Sequence, residues 1–146
     1  MIGVWSLIRF LHVMGAMVWV GGQLTITAML LPVVRRNLEA ADRTAILTAV
    51  GKRFGMFTIL VFLPLQIVTG VLLAWNKGVT MSSLTEPGYG RTLAAKLVAF
   101  ALVMIAAGAH SWARNTDRAL LARALAIGSL IGSLVIVLLA TALPSS

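Results

Sequence analysis

The chain has 146 residues, 60% of them hydrophobic and only 11% charged, where a soluble domain is about a quarter charged. About 88 apolar residues are enough for roughly four stretches of ~20, the length that crosses a bilayer, so a soluble enzyme, a disordered tail and a nucleic-acid-binding domain are all poor readings. Twelve Lys and Arg against four Asp and Glu leave a net charge of +8, and in a chain this apolar such charges flank membrane spans. The absence of cysteine removes disulfides, thiol catalysis and Cys-based zinc or iron–sulfur sites.

Four apolar segments follow in order: about Gly3 to Leu31 stopping at Pro32, Phe54 to Trp75, Thr92 to Trp112, and Ala119 to Leu143 stopping at Pro144. Lipid offers the backbone no hydrogen-bond partners, so each is expected to be a helix. The first opens without a basic residue and outruns the apolar core of a secretory leader, so it reads as a retained span. The expected fold is all-α: one integral membrane four-helix bundle over residues 1–146, with antiparallel up-down topology. Arg35, Arg36, Arg43, Lys52 and Arg53 lie between the first two spans, and Arg114, Arg118 and Arg123 lie at the third connection. The positive-inside rule then makes segments 32–53 and 113–118 cytoplasmic loops. Both termini and the Gly-, Ser- and Thr-rich connection from Gly78 to Gly90 face outward, in a bacterial-type inner (plasma) membrane.

Small residues at Gly128, Ser129, Gly132 and Ser133, and at Ala106 to Ala109, have the spacing through which membrane helices approach closely, either inside the bundle or across a homodimer. Pro64 should kink the second span. Trp5, Trp75 and Trp112 suit the membrane interfaces, whereas Trp19 lies too deep for that.

Polar groups inside spans are costly and usually face a bundle interior or a cavity. In the first span Arg9, His12, Ala16, Trp19 and Gln23 follow steps of three and four, one helix face. In the second, Gln66, Thr69, Leu73 and Asn76 do the same, and in the third Lys96 and His110 share a face. Depth sorts them. At 1.5 Å per residue His12 and Gln66 each lie ~13 Å below the outer ends of their helices, and Lys96 lies ~8 Å below. His110 is roughly 28 Å down from that side, too far to share a metal centre with His12. The expected site joins His12, Gln66 and Lys96 in the outer half of the membrane, with Arg9 beside them. Each has an alternative: His12 as a neutral hydrogen-bonded imidazole, Lys96 and Arg9 as snorkelling or headgroup-binding cations. Met14 and Met17 are near His12 in sequence and their thioethers would suit Cu(I). Methionine is also an ordinary filler of apolar gaps, and Met29, Met56, Met81 and Met104 are scattered.

Leu11-His12-Val13-Met14-Gly15-Ala16-Met17-Val18-Trp19-Val20-Gly21-Gly22 resembles the first-span signature of the copper resistance protein D (CopD) family. Tyr89-Gly90-Arg91-Thr92-Leu93-Ala94-Ala95-Lys96-Leu97 resembles the segment that opens a later span of that family, and Thr69-Gly70 is a weaker match. The short four-span layout, with His12 and Lys96, is also similar to the HemJ-type protoporphyrinogen oxidases. The CopD resemblance implies copper handling with His12 as metal ligand. The HemJ resemblance implies a haem b oxidoreductase with His12 as axial ligand and Arg9 and Lys96 near the propionates. A non-catalytic membrane assembly subunit is a third reading. No carboxylate stands in any span, which argues against a proton pump.

Overall fold

In a computed structural model, residues 3–80, 82–85, 87–115 and 118–142 are described; the expected stop at Pro144, and Met81, lie outside them. Every regular element among them is helical: α1 (Val4–Thr25), a π-helical turn (Ile26–Leu30), α2 (Leu31–Asn37), α3 (Ala40–Phe57), a second π turn (Thr58–Phe62), α4 (Leu63–Asn76), a 3₁₀ turn (Ser82–Thr85), α5 (Tyr89–Asn115) and α6 (Ala119–Ala142). Four continuous helical runs, Val4–Asn37, Ala40–Asn76, Gly90–His110 and Leu120–Thr141, are long and apolar enough to cross a membrane. The fold is all-α and fits a multi-pass membrane protein.

The chain divides into two compact units, Met1–Gly78 and Val79–Ser146. The first is an antiparallel hairpin. Gly22 lies against Phe54, Trp19 meets Thr58 and His12 meets Thr69, so positions advance along one helix as they recede along the other. Residues 32–53, expected as a loop, are helical instead. The turn is confined to Leu38 and Glu39, both in extended conformation. Arg35 and Arg36 occupy the last turn of α2 and Asp42 the first turn of α3, the placements the helix dipole favours.

Pro32 neither ends the first run nor leaves a broken hydrogen bond. Proline lacks a donor and is tolerated in the first turn of a helix. The chain makes Pro32 such a position by widening the preceding turn, where the Leu31 amide reaches back five residues to the Ile26 carbonyl. Pro64 is treated identically: the Leu63 amide donates to the Thr58 carbonyl. The kink expected at Pro64 is resolved as a π turn, one of the recognised accommodations in a membrane helix. The run ends at Gly78, whose φ of 67° lies in the left-handed region, with its amide on the Trp75 carbonyl.

The second unit is also a helical hairpin. Gly88, at φ 94°, turns the chain into α5. Gly90 lies so close to the Ser83 backbone carbonyl that a β-carbon there would overlap it. Along α5 and α6 the buried positions are small or slender: Val103, Ala113, Ala122, Ser129 and Ser133. Gly132 lets Val103 approach the α6 backbone, whereas Gly128 and Gly108 have open space where a β-carbon would be. Ser133 donates to the Ser129 carbonyl at 2.8 Å. The small-residue spacing at Gly132 therefore serves packing inside this hairpin.

Candidate functional site

The first hairpin brings two of the expected site residues together. His12, on α1, is half-buried, with its Nδ1 2.7 Å from Oγ1 of the buried Thr69 on α4. The same Thr69 hydroxyl donates to the Leu65 carbonyl at 2.5 Å. A hydroxyl has a single proton. With that proton directed to Leu65, the Thr69 oxygen receives, and His12 Nδ1–H is the donor. Nδ1 thus carries a proton, and in the neutral ring the lone pair lies on Nε2. Gly70 lies beside the ring, where a β-carbon would stand 3.4 Å from His12 Cε1.

Gln66, one turn before Gly70, donates from Nε2 to the His12 backbone carbonyl at 2.7 Å. Buried Gln66 and half-buried His12 therefore lie at the same level of the hairpin, as the depth count predicts. The approach depends on Gly15. A β-carbon there would come within 2.7 Å of Gln66 Nε2 and 2.9 Å of Leu65 Cδ2, and glycine is the residue that lets helix backbones approach in lipid.

Two turns further along α1 the arrangement repeats. Trp19, 2% exposed, donates its indole N–H to Thr58 Oγ1 at 3.0 Å, and Thr58 donates in turn to the Phe54 carbonyl at 2.8 Å. The Trp19 ring stacks on Phe62, centroids 4.6 Å apart and planes within 5°. Trp19 thus grips both ends of the π turn Thr58–Phe62. Gly22 makes room for the Phe54 ring, 2.6 Å from where its β-carbon would be. In both places a ring N–H on α1 donates to a threonine hydroxyl on the opposite run, and that hydroxyl closes on its own helix. Hydroxyls and backbone carbonyls of the hairpin itself thereby pair with the polar groups of this seam.

Arg9 is exposed, about one turn nearer the start of α1 than His12. Met14 and Met17 are 41% and 64% exposed, off the seam. Lys96 is half-buried on α5 and belongs to the second unit. His110, also in that unit, donates from Nδ1 to the Ala122 carbonyl at 2.7 Å. Trp112 carries the Arg118 guanidinium 5.2 Å above its ring centre. No group of three or more His, Cys, Asp or Glu that could hold a metal ion occurs among the described residues.

The pattern of residues alone misses Thr58, Gly15, Gly22 and Gly70 as parts of the seam. A signal for them exists. Thr58 precedes Thr69 by about three helical turns, and Gly15 and Gly22 are about two turns apart, so each pair shares a face. In comparison with known proteins, the chain matches no family model, and no curated protein or solved structure is significantly similar to it.

Proposed function

We propose that this chain is a membrane protein that holds a metal-containing cofactor on Nε2 of His12, and that the cofactor is haem b. The observation that carries the reading is the chain from His12 Nδ1–H through the Thr69 hydroxyl to the Leu65 carbonyl. Ligating histidines characteristically donate their other ring N–H in this way, which fixes the tautomer and ring plane and raises the basicity of the ligating nitrogen.

The donor set suits haem better than copper. Haem brings its own equatorial nitrogens and asks the protein for axial groups only. Soft Cu(I) asks for several thioether, thiolate or imidazole ligands, and Met14 and Met17 are turned off the seam. Arg9, on the His12 side of α1, supplies a cation for an anionic substituent such as a propionate. Bound haem would supply reversible one-electron chemistry. The chain's own part is to orient the imidazole, through Thr69, and to fix the level of α1 against α4, through Gln66 and Gly15. The Lys and Arg bias favours a cytoplasmic location for the Arg35–Arg53 end of the first hairpin and for the connection between α5 and α6.

The resemblance to the CopD family motivates copper as the second reading, and one experiment addresses both. The protein is purified in detergent and its absorption spectrum recorded beside that of His12→Ala at equal helical content. A Soret band that the substitution removes supports haem. A colourless protein with stoichiometric Cu(I), also lost in His12→Ala, supports copper. Lys96→Ala is run in parallel as a second-unit variant. A protein that binds neither group sinks both cofactor readings and leaves the assembly subunit.

A further inference from the structure

The outer surface of the first hairpin carries an open groove of about 350 Å³ lined by Arg53, Met56, Phe57, Leu60 and Val61. These positions fall on one helix face and run from the last turns of α3 into the π turn Thr58–Phe62. Apart from half-buried Phe57 they are exposed; Leu60 is 67% exposed. The groove thus has a cation at one end and hydrocarbon side chains over the rest of its length.

Its position along the helix is informative. Trp75 and Trp5, both exposed, mark one end of the hairpin, as interfacial tryptophans do. Arg53 lies about 22 residues from Trp75, or ~33 Å, close to one hydrocarbon thickness of ~30 Å. The guanidinium therefore reaches the opposite headgroup layer, while Met56, Leu60 and Val61 extend into the acyl region. Exposed Lys52 adds a second cation beside it. The nearest acidic residue on the same helix is Asp42, about three turns away. Along that stretch the helix itself carries Lys52 and Arg53 and no acid.

We propose that Arg53 and this groove bind an anionic phospholipid, with the phosphate on the guanidinium and Lys52 and one acyl chain along Met56, Leu60 and Val61. The planar five-donor fork of arginine matches phosphate oxygens in pairs, and two adjacent cations with no acid nearer than about three turns along their own helix select an anionic over a zwitterionic headgroup. The site is independent of any cofactor on His12.

Native mass spectrometry of the full chain tests it, with phosphatidylglycerol and phosphatidylcholine of identical acyl chains added in equal amounts. Phosphatidylglycerol adducts should predominate. Arg53→Gln should weaken them about tenfold, the size of a lost charge-assisted pair. Arg53→Lys should fall between, Leu60→Trp should weaken binding by filling the groove, and Arg36→Gln, the same loss of charge at the hairpin turn, should leave it unchanged. All variants are compared at equal helical content. Equal binding of the two lipids, equal losses in Arg53→Gln and Arg36→Gln, an unaffected Leu60→Trp, or displacement of the lipid by an equal concentration of inorganic phosphate would each overturn the proposal.

Discussion

Among the described residues, the two hairpins differ in how their helices meet. In the first, side-chain hydrogen bonds cross between the helical runs: His12 to Thr69, Trp19 to Thr58, Gln66 to the His12 carbonyl. In the second, the buried Ser133 hydroxyl turns back onto its own helix, and the buried surface is made by Val103 fitting against Gly132 and by alanines. The bond from His110 to Ala122 crosses near the α5–α6 turn. Crossing bonds in lipid contribute little stability, about 0.6 kcal/mol on average. A hairpin that relies on small residues and shape is the economical solution for packing alone. A seam that carries an imidazole, a tryptophan N–H, a buried amide and two threonines adds little stability for its complexity. On the proposed reading, the first hairpin is the one whose polar residues serve a bound group as well as packing.

That contrast is most easily broken with β-carbons at the close approaches. Gly132→Ala drives a methyl into Val103, which is buried and stiff at its single side-chain torsion. Overpacking of this kind costs about 1–3 kcal/mol, and SDS titration followed by circular dichroism should show the second hairpin unfolding earlier. Gly15→Ala meets the ends of Gln66 and Leu65, side chains with torsions to spare. Its loss of stability should be smaller than that of Gly132→Ala. Its loss of bound cofactor should be larger, because α1 and α4 must separate at the level of His12. The reverse ranking on either readout would remove the distinction between the hairpins.

A subtler separation uses hydroxyls. Thr69→Val keeps the shape of the side chain but removes the acceptor of His12 Nδ1–H. The imidazole is then no longer held with its lone pair on Nε2. Loss of a partner behind a ligating histidine typically costs 10–100-fold in affinity, while the stability change should stay below about 1.7 kcal/mol, the upper end for crossing bonds in lipid. Thr69→Ser should restore most of the affinity. Ser133→Ala, the equivalent deletion in the second hairpin, should leave cofactor content unchanged. The ratio of bound cofactor to protein, from the absorption spectrum, checks all three.

How far these features were legible in the residues depends on what kind of regularity each has. The stripe from His12 through Ala16 and Trp19 to Gln23, and its counterpart at Gln66 and Thr69, repeats at helical spacing, and counting from the ends put His12 and Gln66 at one depth. Arg9 fits the same spacing yet is exposed, because position on a stripe does not fix how far toward the end of a helix the neighbouring run covers it. The π turns left no trace: one extra residue in a turn has no composition, and Pro32 read as a stop because the accommodation lies in the preceding backbone. Thr58 shares a helical face with Thr69 by spacing, but a threonine near the end of an apolar segment is ordinary, and only the opposite Trp19 marks it. Gly15 and Gly22 were visible as small residues, but which side chain each admits is decided by the opposite run, Gln66 in one case and Phe54 in the other.

The smallest effect is expected at Gln66, and it sharpens the comparison because it separates position from chemistry. Gln66 is buried and donates to the His12 carbonyl, which as a residue of α1 already accepts the amide four residues on. Replacement by Leu, similar in reach and apolar, leaves no buried donor behind and no carbonyl without a partner. Gln66→Leu should therefore cost only about 0.6 kcal/mol and leave the His12–Thr69 bond in place. Cofactor retention should hardly change. If cofactor is lost in Gln66→Leu as completely as in His12→Ala, with stability intact, the amide would have to act on the bound group itself, and the division of labour between Thr69, which orients the ring, and Gln66, which sets the level of the helices, would be wrong.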